Sequence, residues 1–113
     1  MKKIVFITIL LLLVCSLASA FAATPAIFYS DLTSGPKTGG QNNKGAFVTI
    51  WGKNFGSTRG SSYASVGGGQ ADNYPLWSDT KISFQLGSNA TTGNITVTTS
   101  AGTSNGIPFT VRS

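Results

Sequence analysis

The stretch GAFVTIWGKNFG, residues 45–56, joins an alternating apolar run to a turn in which glycines stand near a phenylalanine. A Gly-Lys pair after a strand can belong to a phosphate-binding loop, which needs four residues before that pair, then Ser or Thr, then a helix. Here six residues separate Gly45 from Gly52, Asn54 follows Lys53, and no helical pattern comes next. The stretch therefore predicts a structural corner after a β-strand, and it argues against a nucleotide site.

Short β-branched and aromatic runs continue on both sides of this corner, separated by Gly, Asn, Ser, Asp and Pro. The runs are AIFYS (26–30), AFVTIWG (46–52), YASVG (63–67), YPLW (74–77), KISFQL (81–86), NITVTTS (94–100) and IPFTVR (107–112). Period-2 alternation puts one face of each strand inward. The inward residues are predicted to be Val48, Ile50, Ile82, Phe84, Leu86, Ile95, Val97, Phe109 and Val111, with Lys81, Ser83 and Gln85 outward. About seven such strands predict an all-β sandwich.

The first 22 residues have the pattern of a secretory signal peptide. Two lysines at 2–3 precede an apolar run at 4–17, and small residues follow in ASAFAA. We predict cleavage after Ala22, which leaves one domain at residues 23–113 and a secreted or cell-surface location.

The segment allows three other interpretations. Cleavage after Ala20 is the second choice. An uncleaved anchor would need a run of roughly 20 apolar residues, and this one is shorter. A lipid anchor at Cys15 would require a small residue where Val14 stands. We therefore expect no stable membrane insertion after cleavage.

The remaining chain is poor in chemically reactive residues. It has no histidine, no glutamate and, past the leader, no cysteine, so zinc ligands are missing. The only carboxylates are those of Asp31, Asp72 and Asp79. Asp72 and Asp79 could approach each other in space, but both stand among turn-forming residues, where capping is their expected role; Asp79 is predicted to accept backbone N–H groups of its own turn. A calcium site at Asp72 and Asn73 would have too few carboxylates. We predict no enzyme activity, no cofactor and no metal.

Six scattered basic residues and three acidic ones leave a net charge of +3 after cleavage, with no basic cluster. Nucleic-acid binding needs clustered positive charge, so we predict no nucleic-acid partner. Asn89 and Asn94 match the glycosylation acceptor pattern, which matters only in a host that glycosylates exported proteins.

Five aromatic residues are candidates for ligand binding: Phe47, Trp51, Tyr63, Tyr74 and Trp77. The first two point away from the inward face of their strand, and the others stand near loops, so they could stack on a sugar ring. In the alternative interpretation, Trp77 is buried in the core, Trp51 packs under the loop at 33–45, and the tyrosines lie at the edges of the sheets. That loop is either a flexible connection or a ligand loop.

Four segments resemble the IPT/TIG domain, an immunoglobulin-like fold shared by plexins and some transcription factors and found in secreted and surface proteins of bacteria. They are GAFVTIWGKNFG (45–56), SVGGGQA (65–71), WSDTKISFQL (77–86) and GNITVTTSAGTSNGIPFTV (93–111). The resemblance covers about residues 25–112, although the long loop at 33–45 departs from a compact version. It implies that Gly52 and Gly56 let the chain bend, that Phe55 plugs one end of the sandwich, and that Lys53 faces water.

The resemblance implies a non-catalytic, exported binding or spacer module of a larger surface or secreted, carbohydrate-associated assembly. Its partner would be a polysaccharide or another surface protein. Two alternatives are a carbohydrate-binding module that uses the aromatic residues, and a protein that self-associates through an aromatic face or through an open edge at NITVTTS. The leader and the dispersed charge argue against the DNA-binding role of the transcription-factor relatives. The sequence leaves the oligomeric state open.

Overall fold

A computed structural model of the chain describes residues 23–112, so the predicted leader and its cleavage site at Ala22 lie outside the described residues. The described part is built from ten strands and one short 3₁₀ turn, Gln41–Asn43. The strands are β1 (Ala26–Ser30), β2 (Ser34–Pro36), β3 (Phe47–Lys53), β4 (Tyr63–Val66), β5 (Gly69–Gln70), β6 (Asn73–Trp77), β7 (Lys81–Gln85), β8 (Gly93–Thr99), β9 (Gly102–Thr103) and β10 (Ile107–Arg112).

The strands form two sheets. The first sheet has the order β1-β3-β7-β6, and all of its pairings are antiparallel. The second has the order β2-β10-β8-β4-β5, with β9 paired to the end of β8; only β2 and β10 run parallel. The predicted all-β, immunoglobulin-like sandwich is confirmed.

The core lies between the sheets and follows the predicted alternation. Of the nine side chains predicted to face inward, eight are buried, and Val111 is half-buried at the margin of the core. Ile27, Phe55, Ala64, Val66 and Ala90 complete the buried cluster. Full burial of one large apolar side chain contributes about 1.5–3 kcal/mol, so this cluster is what stabilises a domain whose described part has no cysteine.

The region at 33–45, predicted as one loop, contains a strand and the 3₁₀ turn. Strand β2 was missed because SGP has no apolar pattern; backbone pairing with Thr110 and Val111 defines it. Gly35 fits because a Cβ there would lie 3.1 Å from the Cβ of Ala46. Pro36 is tolerated because β2 is an edge strand.

Gln85 is the one outward prediction that is wrong. Its side chain is fully buried because residues 41–45 fold over the outer side of β7. Gln85 Nε2 donates to the carbonyl oxygens of Gln41 at 2.8 Å and Gly45 at 3.0 Å. A Lys44–Asp72 ion pair of 3.0 Å also holds this segment, which therefore packs against the first sheet.

The corner after β3 is a structural turn, as predicted. Phe55 is 1% exposed and closes one end of the core, whereas Lys53 is exposed. Gly56 takes a φ of 93°, a conformation that favours glycine. The Asp79 carboxylate was predicted to cap its own turn, but it accepts the Gly56 N–H at 3.0 Å instead. Ser78 closes the Asp79 turn, because its Oγ accepts the Lys81 N–H at 3.0 Å.

Candidate functional site

The outer faces of the two sheets differ in chemistry. The exposed large apolar residues are Phe28, Tyr29, Leu32, Phe47 and Leu76. Four of them stand on strands of the first sheet, and Leu32 lies in the connection between β1 and β2. The outer face of the second sheet carries hydroxyl groups, which pair as Ser65 with Thr96 and Thr98 with Thr103. Three of these five residues, Tyr29, Phe47 and Leu76, lie on the outer face of the first sheet.

Strand register arranges this side into rows that cross the sheet. Tyr29 pairs with Trp51 and Trp51 with Lys81; Thr49 pairs with Ser83 and Ser83 with Leu76. Residues paired in this way share a face. We call the surface formed by these residues and Phe47 the first-sheet face.

Trp51 lies in the middle of the first row, with a neighbour on each side. Its ring stacks on Tyr29 with centroids 4.9 Å apart and planes 17° apart. Lys81 Nζ lies 5.5 Å from the Trp51 ring centroid, and it belongs to the strand on the other side. Both neighbours restrict access to the Trp51 ring faces, whereas Tyr29 is 56% exposed.

The second row is polar at its centre. Thr49 Oγ1 and Ser83 Oγ are hydrogen-bonded at 2.8 Å. The Asp31 carboxylate accepts the Thr49 N–H at 2.8 Å, so it extends the β1–β3 pairing beyond the end of β1. The first-sheet face therefore has an aromatic row beside a hydroxyl pair.

The five predicted ligand residues do not form one site. Phe47 and Trp51 share the first-sheet face, about 13 Å apart along β3 at the usual rise per residue. Tyr63 stands on β4 of the second sheet. Tyr74 and Trp77 are half-buried on β6 and pack against the core.

Tyr74 and Trp77 have structural partners. The Tyr74 hydroxyl accepts the Ala64 N–H at 2.9 Å and donates to the Ala64 carbonyl at 3.3 Å. Trp77 Nε1 donates to the Phe55 carbonyl at 3.2 Å. The rings of Tyr74 and Trp77 pack edge to face, with centroids 5.5 Å apart. Burial raises the pKa of the Tyr74 phenol above its ordinary value of 10.0, while the nearby Arg59 charge lowers it.

Sequence reasoning missed Tyr29 and Leu76 on the first-sheet face. A register shift between Ile27 and Tyr29 breaks the alternation of AIFYS, so period-2 counting does not place Tyr29. A second shift lies between Asn73 and Leu76, on the strand that carries Pro75. Pro75 was the available signal that β6 is an irregular edge strand.

Each of the three aspartate carboxylates has its own partner. Asp72 pairs with Lys44, while Asp31 and Asp79 accept backbone N–H groups of other segments. Within residues 23–112, no group of three or more His, Cys, Asp or Glu residues could hold a metal ion.

No helix in residues 23–112 is long and apolar enough to cross a membrane.

The NITVTTS segment is not an open edge, contrary to the self-association hypothesis. Its strand, β8, pairs with β4 on one side and with β10 and β9 on the other. On the edge strand β1, the Asn105 side chain occupies both backbone groups of Ile27. Self-association through the aromatic face remains a separate hypothesis.

Comparisons with known proteins agree with this architecture. No curated protein matches the chain. The chain is similar to a crystal structure named "Putative phosphatase" from Bacteroides thetaiotaomicron, with a TM-score of 0.63 and 22% identity over 82% of this chain. That match covers only 20% of the other protein and indicates a shared fold alone. The family model described as IPT/TIG domain matches residues 32–111, and by this match the chain belongs to the IPT/TIG domain family.

Proposed function

We propose that this protein is an exported binding module that holds a surface or secreted assembly together through its first-sheet face. An IPT/TIG domain with an immunoglobulin-like fold favours a non-catalytic binding or spacer role. The observation that carries the proposal is the exposure of Tyr29, Phe47 and Leu76 on the outer face of the first sheet.

The composition of the first-sheet face supports a contact role. Contact surfaces are enriched in aromatic residues, and here the Tyr29–Trp51 stack supplies two rings held in place before binding. Pre-ordered side chains lose little freedom when a partner binds.

Two partner classes fit this surface. A protein partner would cover the apolar residues and leave Lys81 at the rim. A polysaccharide would stack on the exposed ring of Tyr29 and hydrogen-bond to the Thr49–Ser83 hydroxyl pair. We favour a protein partner, because the neighbours of Trp51 restrict stacking on the larger ring.

The face is tested by a variant with Tyr29→Thr, Phe47→Thr and Leu76→Thr, which keeps strand-forming residues at exposed positions. Size-exclusion chromatography of envelope and medium fractions should show the wild type in a larger complex and this variant as a monomer. A control variant with Thr96→Ser, Thr98→Ser and Thr110→Ser alters the other sheet and should elute like the wild type. A wild type found only as a monomer, or a face variant that stays in the complex, contradicts the proposal.

The same material separates the other hypotheses. Sedimentation of the purified protein at several concentrations should give a monomer; a dimer that the face variant abolishes would instead identify a second copy as partner. Mobility in gels containing neutral polysaccharides should be unchanged, and retardation that depends on Tyr29 would establish the carbohydrate-binding alternative.

Export is tested independently by N-terminal sequencing of the protein from envelope and medium. We expect the mature chain to begin at Ala23, in accordance with the leader pattern. Recovery of the chain only from the cytoplasm, with its first 22 residues intact, contradicts export.

A further inference from the structure

A cavity of about 290 Å³ opens at one end of the sandwich. It lies between the segment that joins β3 to β4 and the turn after β8. The lining residues are Ala23, Asn54, Phe55, Gly56, Thr58, Arg59, Gly60, Ser61, Ser62, Thr99, Ser100 and Ala101. This volume is close to the lower end of the range of small-molecule sites.

The cavity wall is hydroxyl-rich and has no carboxylate. Thr58, Ser61, Ser62, Thr99 and Ser100 are the hydroxyl-bearing residues of the lining, and Arg59 is its charged residue. These groups donate hydrogen bonds and carry positive charge, which suits an anionic, polar ligand.

Arg59 is positioned by Tyr74. The guanidinium carbon lies 4.2 Å from the centroid of the Tyr74 ring. That ring is itself fixed, because its hydroxyl bonds both backbone groups of Ala64. Stacking on an aromatic ring orders an arginine and leaves its N–H groups able to bind an oxyanion.

No carboxylate of the described residues forms an ion pair with Arg59. Asp72 pairs with Lys44, Asp31 accepts from Thr49, and Asp79 accepts the Gly56 N–H without lining the cavity. The charge of Arg59 is therefore not neutralised by an ion pair within residues 23–112.

The predicted processing would add a second positive charge to the same cavity. Ala23 is a lining residue, and Asn54 Nδ2 donates to the Thr24 carbonyl at 3.3 Å, which ties this end of the chain to the wall. Cleavage after Ala22 would place the new α-ammonium group on Ala23.

We propose that this cavity binds the carboxylate of an acidic saccharide, with Arg59 as the anion-binding residue and the surrounding hydroxyls as partners of the sugar. The site is separate from the first-sheet face, so its failure would leave the proposed function of that face unaffected.

The test is an amide chemical-shift titration of the protein purified from cells that express the full chain. D-glucuronate should shift the amides of residues 54–62 and 99–101, acetate should bind more weakly, and D-glucose should cause no shift. Arg59→Gln should weaken glucuronate binding by at least about tenfold, as expected for the loss of charged hydrogen bonds. Arg112→Gln removes the same charge elsewhere and should bind like the wild type.

Unshifted resonances outside the cavity would show that Arg59→Gln is folded. Equal binding of acetate and glucuronate would overturn the saccharide assignment. No shift with glucuronate, or equal weakening by Arg59→Gln and Arg112→Gln, would overturn the site itself.

Discussion

Asn105 pairs with Ile27 as a neighbouring strand would. The Ile27 N–H donates to Asn105 Oδ1 at 2.7 Å, and Asn105 Nδ2 donates to the Ile27 carbonyl at 3.0 Å. Asn105 follows β9 of the second sheet, whereas Ile27 is on the edge strand β1 of the first. One side chain therefore connects the two sheets and occupies backbone groups that could pair with another chain.

Asn105→Ala should lower the free energy of unfolding by about 1–2 kcal/mol, because two hydrogen bonds are lost. Urea unfolding measures the change. Asn105→Asp keeps the acceptor and loses the donor, so its unfolding free energy should lie between those of wild type and Asn105→Ala. Asn89→Ala removes an exposed amide in another loop and should stay within about 0.5 kcal/mol of wild type. An Asn105→Ala protein as stable as the Asn89→Ala control would refute the edge-capping role.

Gly52→Ala should be strongly destabilising although Gly52 lies in a regular strand. A Cβ there would collide with the Ala26 carbonyl oxygen and lie 2.6 Å from Phe55 Cζ. Forced overpacking costs about 1–3 kcal/mol or more. Thermal unfolding of Gly52→Ala and of Gly60→Ala gives the comparison. Gly60 has open space at its Cβ and a φ of 56°, so only the backbone cost of about 1–2 kcal/mol applies. A smaller effect at Gly52 than at Gly60 would contradict the close approach.

Truncation of Lys53 and truncation of Phe55 should change stability by very different amounts. Lys53→Ala changes an exposed side chain and should alter unfolding free energy by less than about 0.5 kcal/mol. Phe55→Ala should cost about 3–5 kcal/mol, because Phe55 is 1% exposed in the core. If Phe55→Ala does not fold, Phe55→Leu provides a milder test by denaturant titration. A large loss of unfolding free energy in Lys53→Ala would contradict the interpretation of this corner as a structural turn with an exposed lysine.

Tyr74 should make stability decline at alkaline pH. Burial raises the pKa of Tyr74 above 10.0, so the folded state holds the phenol proton more tightly than the unfolded state. This contribution is complete below the unfolded pKa and is lost as pH rises through the folded pKa. The stability advantage of wild type over Tyr74→Phe should therefore shrink above about pH 10. Urea unfolding of both proteins across this range measures it, and a constant difference would contradict the effect of burial.

The regular parts of the core could be predicted from sequence because alternation in β3, β7 and β8 matches burial at Val48, Phe84 and Val97. The features that could not be predicted depend on contacts between residues distant in sequence. Gln85 is buried by a segment about 40 residues earlier in the chain, and β2 exists through backbone pairing alone. Tyr29 was missed because a bulge changes the face of its strand.

Acrylamide quenching of Trp51 tests the first-sheet face most directly. Trp77→Phe leaves Trp51 as the single tryptophan, located between Tyr29 and Lys81 on that face. Quenching is measured on the purified protein and again in the larger complex from envelope or medium fractions. Our account predicts that Trp51 becomes less accessible to acrylamide in the complex. Equal quenching in the two samples would show that the partner binds elsewhere and would contradict the account.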